Sequence, residues 1–167
     1  MASPTPMKRI GTPRRTAIVL FAASAVGLIV ARRATFAAEI VQGSAESLSG
    51  LVLTQLVRPG APFIYGAFAT VMDMSTTIFS YGAPEMSLMV AAMAQMAHYY
   101  RLPFMGTGGC SDAKFPDPQA AGEAAFSCLS SALSGANLIH EPGQLDHGSL
   151  ASPAYIVLVH ELLEMVN

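Results

Sequence analysis

The chain has 167 residues, which is enough for one ordinary domain with a hydrophobic core. Hydrophobic residues make up 52% of the sequence and charged residues only 12%, a composition that fits a buried parallel α/β core or a membrane protein. The net charge of −2 combines a net +6 in residues 1–33 with a net −8 in residues 34–167. Because the larger segment is acidic, we expect no nucleic-acid binding. The two cysteines cannot form a disulfide framework, which predicts a reduced, cytoplasmic protein.

The N-terminal 33 residues form a segment of different character. Residues 16–31 are uncharged and mostly apolar, and an arginine pair stands on each side of them. This run is shorter than the roughly 20 residues that span a bilayer, and the pair Arg32–Arg33 argues against a cleaved signal peptide. Three interpretations remain open: a weak membrane anchor, a buried element, or residues outside the native fold. The abrupt change of charge at Ala34 favours the third, so residues 34–167 are the predicted domain.

Helix and strand signals alternate along that domain. A helix is predicted from Thr35 to about Val57, because Leu48, Leu51, Val52 and Leu56 recur at helical spacing. Strands are predicted at residues 62–66, 103–105 and 136–140. Further helices are predicted to start at Pro84, at Pro118 behind an Asp117 cap, and at Pro153. Methionines line one face of the second helix, which indicates core packing rather than a binding surface.

This order predicts an α/β fold with a parallel sheet, made of one helix followed by three strand–loop–helix units. The loops after the strands are long and those before the strands are short. Such an asymmetry is typical of TIM barrels, in which functional residues collect on the loops that follow the strands. Functional residues are therefore expected after each predicted strand, and the glycine-rich stretch 106–114 (GTGGCSDAK) is the most distinctive sequence there.

Four blocks of sequence carry a resemblance to a known family. They are residues 50–62 (GLVLTQLVRPGAP), 81–86 (YGAPEM), 106–114 (GTGGCSDAK) and 134–140 (SGANLIH). In this order they resemble the trimethylamine methyltransferase family, the corrinoid-dependent methyltransferases that include glycine betaine methyltransferases. The resemblance implies a partial TIM barrel, with three consecutive strand–helix units and one preceding helix. It also implies transfer of a methyl group from a methylated amine, trimethylamine or a betaine, to the cobalt of a partner corrinoid protein.

The resemblance implies that the cobalamin is bound by that partner. The corrinoid-binding pattern Asp-x-His-x-x-Gly is absent, since Asp146-His147-Gly148 lacks its spacing. A substrate site for a small ammonium cation needs aromatic faces or a carboxylate. Near the first strand, Tyr65, Phe68 and Tyr81 are candidates for such faces, and their alternative role is to pack the loop onto the barrel.

Polar candidates follow the other two strands. Asp112 would face a cationic substrate, and Lys114 would neutralise it or bind a substrate carboxylate; the alternative is a structural pair between the two. Cys110 precedes them in the same loop. After the third strand, His140 is a candidate contact to substrate or corrinoid, followed by Asp146 and His147. These two histidines lack a common zinc spacing, and no metal site is expected.

Two functions other than an enzyme are compatible with this sequence. The first is a catalytically inactive barrel fragment that at most binds a partner or self-associates, because an open three-stranded sheet leaves two edges for homo-oligomer formation. The second is a membrane-anchored protein that uses residues 16–31. Methyl transfer to free cob(I)alamin distinguishes an enzyme from an inactive fragment.

Overall fold

The computed structural model of the protein describes residues 36–166. This range contains four helices and four short strands. The helices are α1 (Phe36–Val57), α2 (Pro84–Tyr99), α3 (Pro118–Leu133) and α4 (Pro153–Val166). The strands are β1 (Met105–Thr107), β2 (Leu138–His140), β3 (Gln144–Leu145) and β4 (Leu150–Ala151), with a short 3-10 helix at Asp146–Gly148. The predicted mixture of helices with a parallel sheet is confirmed.

The parallel sheet is small and places the ends of its strands side by side. Strand β1 pairs with β2 in parallel, with Met105 opposite Leu138 and Thr107 opposite His140. The strand predicted at residues 62–66 is reduced to one parallel bridge between Tyr65 and Phe104, supported by backbone hydrogen bonds on both sides of Tyr65. The segment around Tyr65 therefore lies beside β1 but does not form a regular strand.

Helix α1 has the predicted position but turns its apolar side outward. Its buried residues are small or polar: Glu39, Gly43, Ser44, Ser47, Gly50 and Thr54. Gly43 lies very close to the segment that carries Ala67. A Cβ atom at position 43 would stand only 2.9 Å from Ala67 Cβ. By contrast, the predicted apolar stripe is partly in solvent, since Val52 is 57% exposed and Leu56 76% exposed. Helical spacing correctly indicated the helix, and close packing on the small-residue side set its orientation.

Two hydrophobic clusters form the core. The first joins Tyr65 and Phe104 to the buried methionine face of α2, including Met86 and Met93, which confirms the packing role of that stripe. The second lies between α3 and α4, where Tyr155 and Val159 pack on Ala120, Ala124 and Cys128. The small alanine side chains let these two helices approach closely.

The predicted starts of α2, α3 and α4 at Pro84, Pro118 and Pro153 are confirmed. Asp117 accepts a hydrogen bond from the Ala120 N–H at 2.9 Å and so caps α3, with Pro118 in the first turn. After α3, Gly135 takes a positive φ of 82° and ends the helix. No helix among residues 36–166 is long and apolar enough to cross a membrane. The candidate anchor at residues 16–31 lies outside the described residues.

An antiparallel hairpin that was not predicted lies between the parallel sheet and α4. Strands β3 and β4 pair through Gln144–Ala151 and Leu145–Leu150. The turn between them has three consecutive residues with positive φ, Asp146, His147 and Gly148. Only the last is a glycine, so the turn holds two L-residues in the sparsely populated left-handed region. The predicted site residues Asp146 and His147 thus stand on a tight turn.

Candidate functional site

The candidate site lies at the carboxyl ends of β1 and β2. Thr107 and His140 are the last residues of these strands and stand opposite each other in the sheet. Thr107 Oγ1 lies 3.0 Å from His140 Nε2, within hydrogen-bond distance. Side chains that follow two parallel strands meet at one edge of a sheet, which is where open α/β sheets bind their ligands.

Asp112, in the loop after β1, fixes the chain that carries Tyr81. Its carboxylate accepts hydrogen bonds from the Tyr81 N–H at 2.6 Å, from the Gly82 N–H at 2.9 Å, and from the Ser80 hydroxyl. A carboxylate that accepts several donors from one turn holds that turn strongly. His147 also approaches Asp112, with its Nδ1 2.9 Å from Oδ1 but without the angle of a hydrogen bond. Asp112 therefore connects its own loop after β1 to residues 80–82 and to the turn that carries His147.

Glu141 provides a second carboxylate, directly after β2. Its backbone has a φ of 78°, in the left-handed region that non-glycine residues rarely adopt. Its Oε1 lies 3.1 Å from His140 Nδ1, and its Oε2 accepts a hydrogen bond from the Tyr81 hydroxyl at 3.1 Å. The hydrogen bond with His140 is the main cause that lowers the pKa of Glu141, while burial acts in the opposite direction. Glu141 is thus an ionised carboxylate whose side chain is 27% exposed.

An aromatic cluster lies beside Glu141. Phe68, Phe79 and Tyr81 pack edge to face, with ring centroids 5.2 to 5.6 Å apart. Tyr81 is buried and the two phenylalanines are half-buried. Burial first, and the charge of Glu141 second, raise the pKa of the Tyr81 hydroxyl, which stays protonated and donates to that carboxylate. The rings pack on one another, in agreement with the predicted packing role for Phe68 and Tyr81. The cluster also places the Tyr81 hydroxyl next to the Glu141 carboxylate.

The cysteine in the glycine-rich loop is enclosed in the core. Cys110 is fully buried, and burial followed by the nearby Glu141 charge raises the pKa of its thiol. Burial likewise raises the pKa of Cys128 to about 11. Because a thiolate is the reactive form, both thiols are unreactive at neutral pH. Their contribution in this structure is to packing.

A family model for trimethylamine methyltransferase matches residues 17–167 of the chain. The chain belongs to this family. It is 42% identical over 131 residues to trimethylamine methyltransferase MttB2 of Methanosarcina mazei, covering 78% of this chain and 26% of that protein. It is 38% identical over 133 residues to trimethylamine methyltransferase MttB of Desulfitobacterium hafniense, with coverage of 80% and 27%.

The chain is also similar to a protein with a different name. The chain is 33% identical over 134 residues to the glycine betaine methyltransferase of Desulfitobacterium hafniense, covering 80% of this chain and 28% of that protein. The chain thus spans about a quarter of the length of the curated relatives that it matches. The three sequence blocks that carry Tyr81, Asp112 and His140 meet at the strand ends. The predicted family is confirmed.

Some predicted site residues are brought together and others are not. Tyr81, Asp112, His140 and His147 converge, and Phe68 joins them through the aromatic cluster. Tyr65 is instead fully buried in the first core cluster, where its hydroxyl donates to Ser44 Oγ at 2.8 Å. The substrate-binding roles themselves stay predictions.

Two further predicted residues lie apart from this group. Lys114 is exposed and forms no ion pair with Asp112 or with any other residue in the range 36–166, so the alternative of an Asp112–Lys114 pair is not realised. Asp146 accepts from the Ser149 hydroxyl at 2.7 Å within its own turn. Within the same range, no group of three histidine, cysteine or acidic residues is placed to hold a metal ion.

Several residues of the site are not among the predicted ones. Glu141 follows a strand directly, and the rule that selected His140 also applies to it. Glu123 lies in the middle of α3. Its carboxylate accepts hydrogen bonds from the Ser111 hydroxyl at 2.6 Å and from the Asp112 N–H at 2.9 Å, and so holds the loop after β1 against the helix. Gly82 packs directly on it, since a Cβ at that position would stand 2.4 Å from the Glu123 carboxyl group. No local sequence signal marks Glu123, because all its site partners are distant along the chain.

Proposed function

We propose that this chain is part of a methyltransferase that takes a methyl group from a methylated amine, trimethylamine or a betaine, and passes it to a corrinoid held by a partner protein. Membership of the trimethylamine methyltransferase family supports the reaction class. The structural observation that carries the proposal is the ionised Glu141 carboxylate, partly exposed beside the aromatic cluster at the strand ends. We further propose that the described sheet and helices are part of a TIM barrel.

The proposed reaction makes modest chemical demands on this chain. When the bond between nitrogen and a methyl carbon of a methylated ammonium breaks, its electron pair stays on nitrogen and the amine leaves uncharged. No general acid is then required, and the protein contributes by holding the cation in position. Glu141 would offset the positive charge, and Tyr81 would present the aromatic cluster to the methyl groups. His140 and the Tyr81 hydroxyl hold the Glu141 carboxylate in place for this role.

We propose that the corrinoid is bound by a separate protein, because residues 36–166 lack the corrinoid-binding pattern Asp-x-His-x-x-Gly. Asp146-His147-Gly148 is too short for the pattern that binds a corrinoid through histidine, and His147 Nδ1 already lies 2.9 Å from Asp112. The acceptor, a reduced corrinoid whose cobalt takes the methyl group, would therefore come with a separate protein.

A second candidate function is a catalytically inactive fragment that binds a partner or self-associates. The observation that favours it is the exposed apolar surface, which includes Leu138 at the sheet edge and Leu133 at the end of α3. Unpaired strand edges and large apolar patches promote association. A measurement of methyl transfer distinguishes the methyltransferase from the inactive fragment.

The experiment is a methyl-transfer assay with the full chain, free cob(I)alamin, and either trimethylamine or glycine betaine. We expect formation of methylcobalamin from one of these amines and a loss of at least about tenfold in kcat/KM for Glu141→Gln, the rate equivalent of about 1.4 kcal/mol. Glu161→Gln, on the exposed side of α4, is the matched control and should retain the activity. A folded chain that transfers no methyl group from either amine would establish the inactive fragment instead.

A further inference from the structure

Thr107, the last residue of β1, brings a buried hydroxyl to the edge of the candidate site. The residue is only 2% exposed, and it stands opposite His140 in the parallel sheet. Its Oγ1 lies 3.0 Å from His140 Nε2. Because buried polar side chains in proteins are almost always hydrogen-bonded, this contact is the natural role of the hydroxyl.

The sheet and α3 hold Thr107 and His140 in register. The carbonyl oxygen of Thr107 accepts a hydrogen bond from the Ser131 hydroxyl of α3 at 2.6 Å. The next residue, Gly108, donates its N–H to the carbonyl oxygen of His140 at 3.1 Å. A β-branched side chain such as threonine also has few accessible rotamers. The hydroxyl therefore meets the imidazole ring from a fixed position.

The partners of His140 determine which ring nitrogen carries the proton. Its Nδ1 lies 3.1 Å from Glu141 Oε1, and an ionised carboxylate only accepts hydrogen bonds, so Nδ1 is the donor. In a neutral imidazole Nε2 is then an acceptor, and the Thr107 hydroxyl is placed to donate to it. The hydrogen bond at one ring nitrogen thus fixes the role of the other.

We propose that Thr107 is a positioning residue of the site, which orients the His140 ring and, through that ring, the Glu141 carboxylate. Hydrogen bonds at the two nitrogens of the imidazole fix both its rotation and its tautomer. The ring then presents its Nδ1–H to Glu141 Oε1, while the Tyr81 hydroxyl donates to Oε2.

The Glu141 carboxylate depends on such support. Its backbone has a φ of 78°, and its side chain is 27% exposed beside the aromatic cluster. A partly exposed side chain stays in one rotamer only where neighbouring groups hold it. The consequence of Thr107 for cation binding rests on the proposed function, whereas its effect on the His140 ring does not.

Two substitutions of Thr107 distinguish positioning from packing. Thr107→Val keeps the shape of the side chain and removes the hydroxyl, whereas Thr107→Ser keeps the hydroxyl and removes a buried methyl group. A residue that only packs is harmed more by the loss of the methyl group. A residue that positions His140 is harmed more by the loss of the hydroxyl. The two roles therefore predict opposite orders of the variants.

The test is nitrogen-15 NMR spectroscopy of the histidine rings in the full chain without ligand, at pH 8, above the ordinary histidine pKa of about 6.5. The variant His140→Gln assigns the signals of this ring among the four histidines. We expect a protonated Nδ1 and an unprotonated, hydrogen-bonded Nε2 in the parent chain. Thr107→Val should lose this pattern, and Thr107→Ser should keep it.

Thr54→Val is the matched control for the loss of a buried threonine hydroxyl. Thr54 lies in α1, where its hydroxyl donates to the Gly50 carbonyl oxygen at 2.8 Å. This variant should leave the His140 signals unchanged. Far-UV circular dichroism and urea denaturation establish that each variant is folded.

Calorimetric titration with glycine betaine measures the consequence for the site. We expect Thr107→Val to bind about threefold to tenfold more weakly than the parent chain, as the loss of one hydrogen bond implies. Thr107→Ser and Thr54→Val should bind within about twofold of the parent chain.

Several results would overturn the positioning role. A parent spectrum with the proton on Nε2 and none on Nδ1 would do so without any variant. Unchanged His140 signals in folded Thr107→Val, or the same change in Thr107→Ser, would also do so. If the chain binds no methylated ammonium while the two variants still differ at His140, the proposed function fails and the positioning role of Thr107 stands.

Discussion

At the scale of single residues, the Asp112 carboxylate accepts three hydrogen bonds from one neighbouring turn. Its three donors all belong to residues 80–82, so it connects the loop after β1 to the turn that carries Tyr81. Hydrogen bonds to a charged group contribute about 1.5–3 kcal/mol each to stability, and a buried donor left without its partner costs free energy. The position of Tyr81 beside Glu141 thus depends on a carboxylate about 30 residues further along the chain.

The substitution Asp112→Asn tests this dependence. An amide has a single acceptor oxygen and adds two donors, so at least one of the N–H groups of residues 81 and 82 loses its partner. We expect the free energy of unfolding in urea to fall by about 2 kcal/mol. Asp146→Asn is the matched control, because Asp146 accepts one side-chain bond, at a positive φ that asparagine tolerates. Equal stabilities of the two variants would contradict the anchoring role.

The lowered pKa of Glu141 predicts a dependence of stability on pH. The folded state holds this carboxyl below its ordinary pKa of 4.5, mainly through the hydrogen bond with His140. The ionised form therefore stabilises the fold above pH 4.5, and the contribution is lost as the pH falls through the folded-state pKa. Unfolding free energies of the parent chain and Glu141→Gln should differ most near neutral pH and converge in acid. A constant difference across this range would contradict the assignment.

At the scale of secondary structure, α3 depends on its first turn. The Asp117 carboxylate accepts a hydrogen bond from the Ala120 N–H, and the substitution Asp117→Ala removes that acceptor. We expect a loss of about 1 kcal/mol in the free energy of unfolding, because alanine cannot cap a helix. Asp117→Asn keeps a capping oxygen and should retain most of the stability. If asparagine and alanine destabilise equally, the cap is not what starts this helix.

The buried face of α2 supplies a second prediction at this scale. Met93 has no exposed surface and joins the first core cluster, whereas Leu88 on the same helix is 62% exposed. We expect Met93→Ala to lower the free energy of unfolding by about 2–5 kcal/mol and Leu88→Ala to change it by less than about 0.5 kcal/mol. Chemical denaturation with a fluorescence or circular dichroism signal measures both. Similar losses would show that the methionine stripe is not the core face.

The elements also show which parts of the fold are encoded locally. The starts of α2, α3 and α4 were predictable because proline and capping residues act within one turn. The outward apolar face of α1 was not, since it depends on the close approach of Gly43 to Ala67 in another segment. The reduction of the predicted strand at residues 62–66 to a single bridge at Tyr65 was not predictable either, because its partner Phe104 is distant along the chain. The hairpin between β3 and β4 was missed because its turn depends on positive φ angles at Asp146 and His147, which the sequence does not mark.

A similar division applies to the candidate site. The rule that ligands bind after parallel strands selected Asp112 and His140, and both lie at the strand ends. The rule could not distinguish these residues from Tyr65, which precedes the loop and packs in the core. Glu123 could not be predicted, because α3 presents it to the loop only once the helix packs against β1.

At the scale of the whole molecule, we propose that the strand ends form a site for a methylated ammonium cation. The claim rests on one ionised carboxylate, Glu141, next to three aromatic rings, and on membership of the trimethylamine methyltransferase family. A cation site of this kind prefers a charged ligand over an uncharged group of the same shape. Shape alone would give no such preference.

The most direct measurement is therefore calorimetric titration of the full chain with glycine betaine and with tert-butylacetate, in which carbon replaces the charged nitrogen. We predict that glycine betaine binds several-fold more tightly, and that Glu141→Gln removes this difference while Glu161→Gln preserves it. Equal binding of the two ligands by the parent chain, or a preference unchanged by Glu141→Gln, would contradict the account.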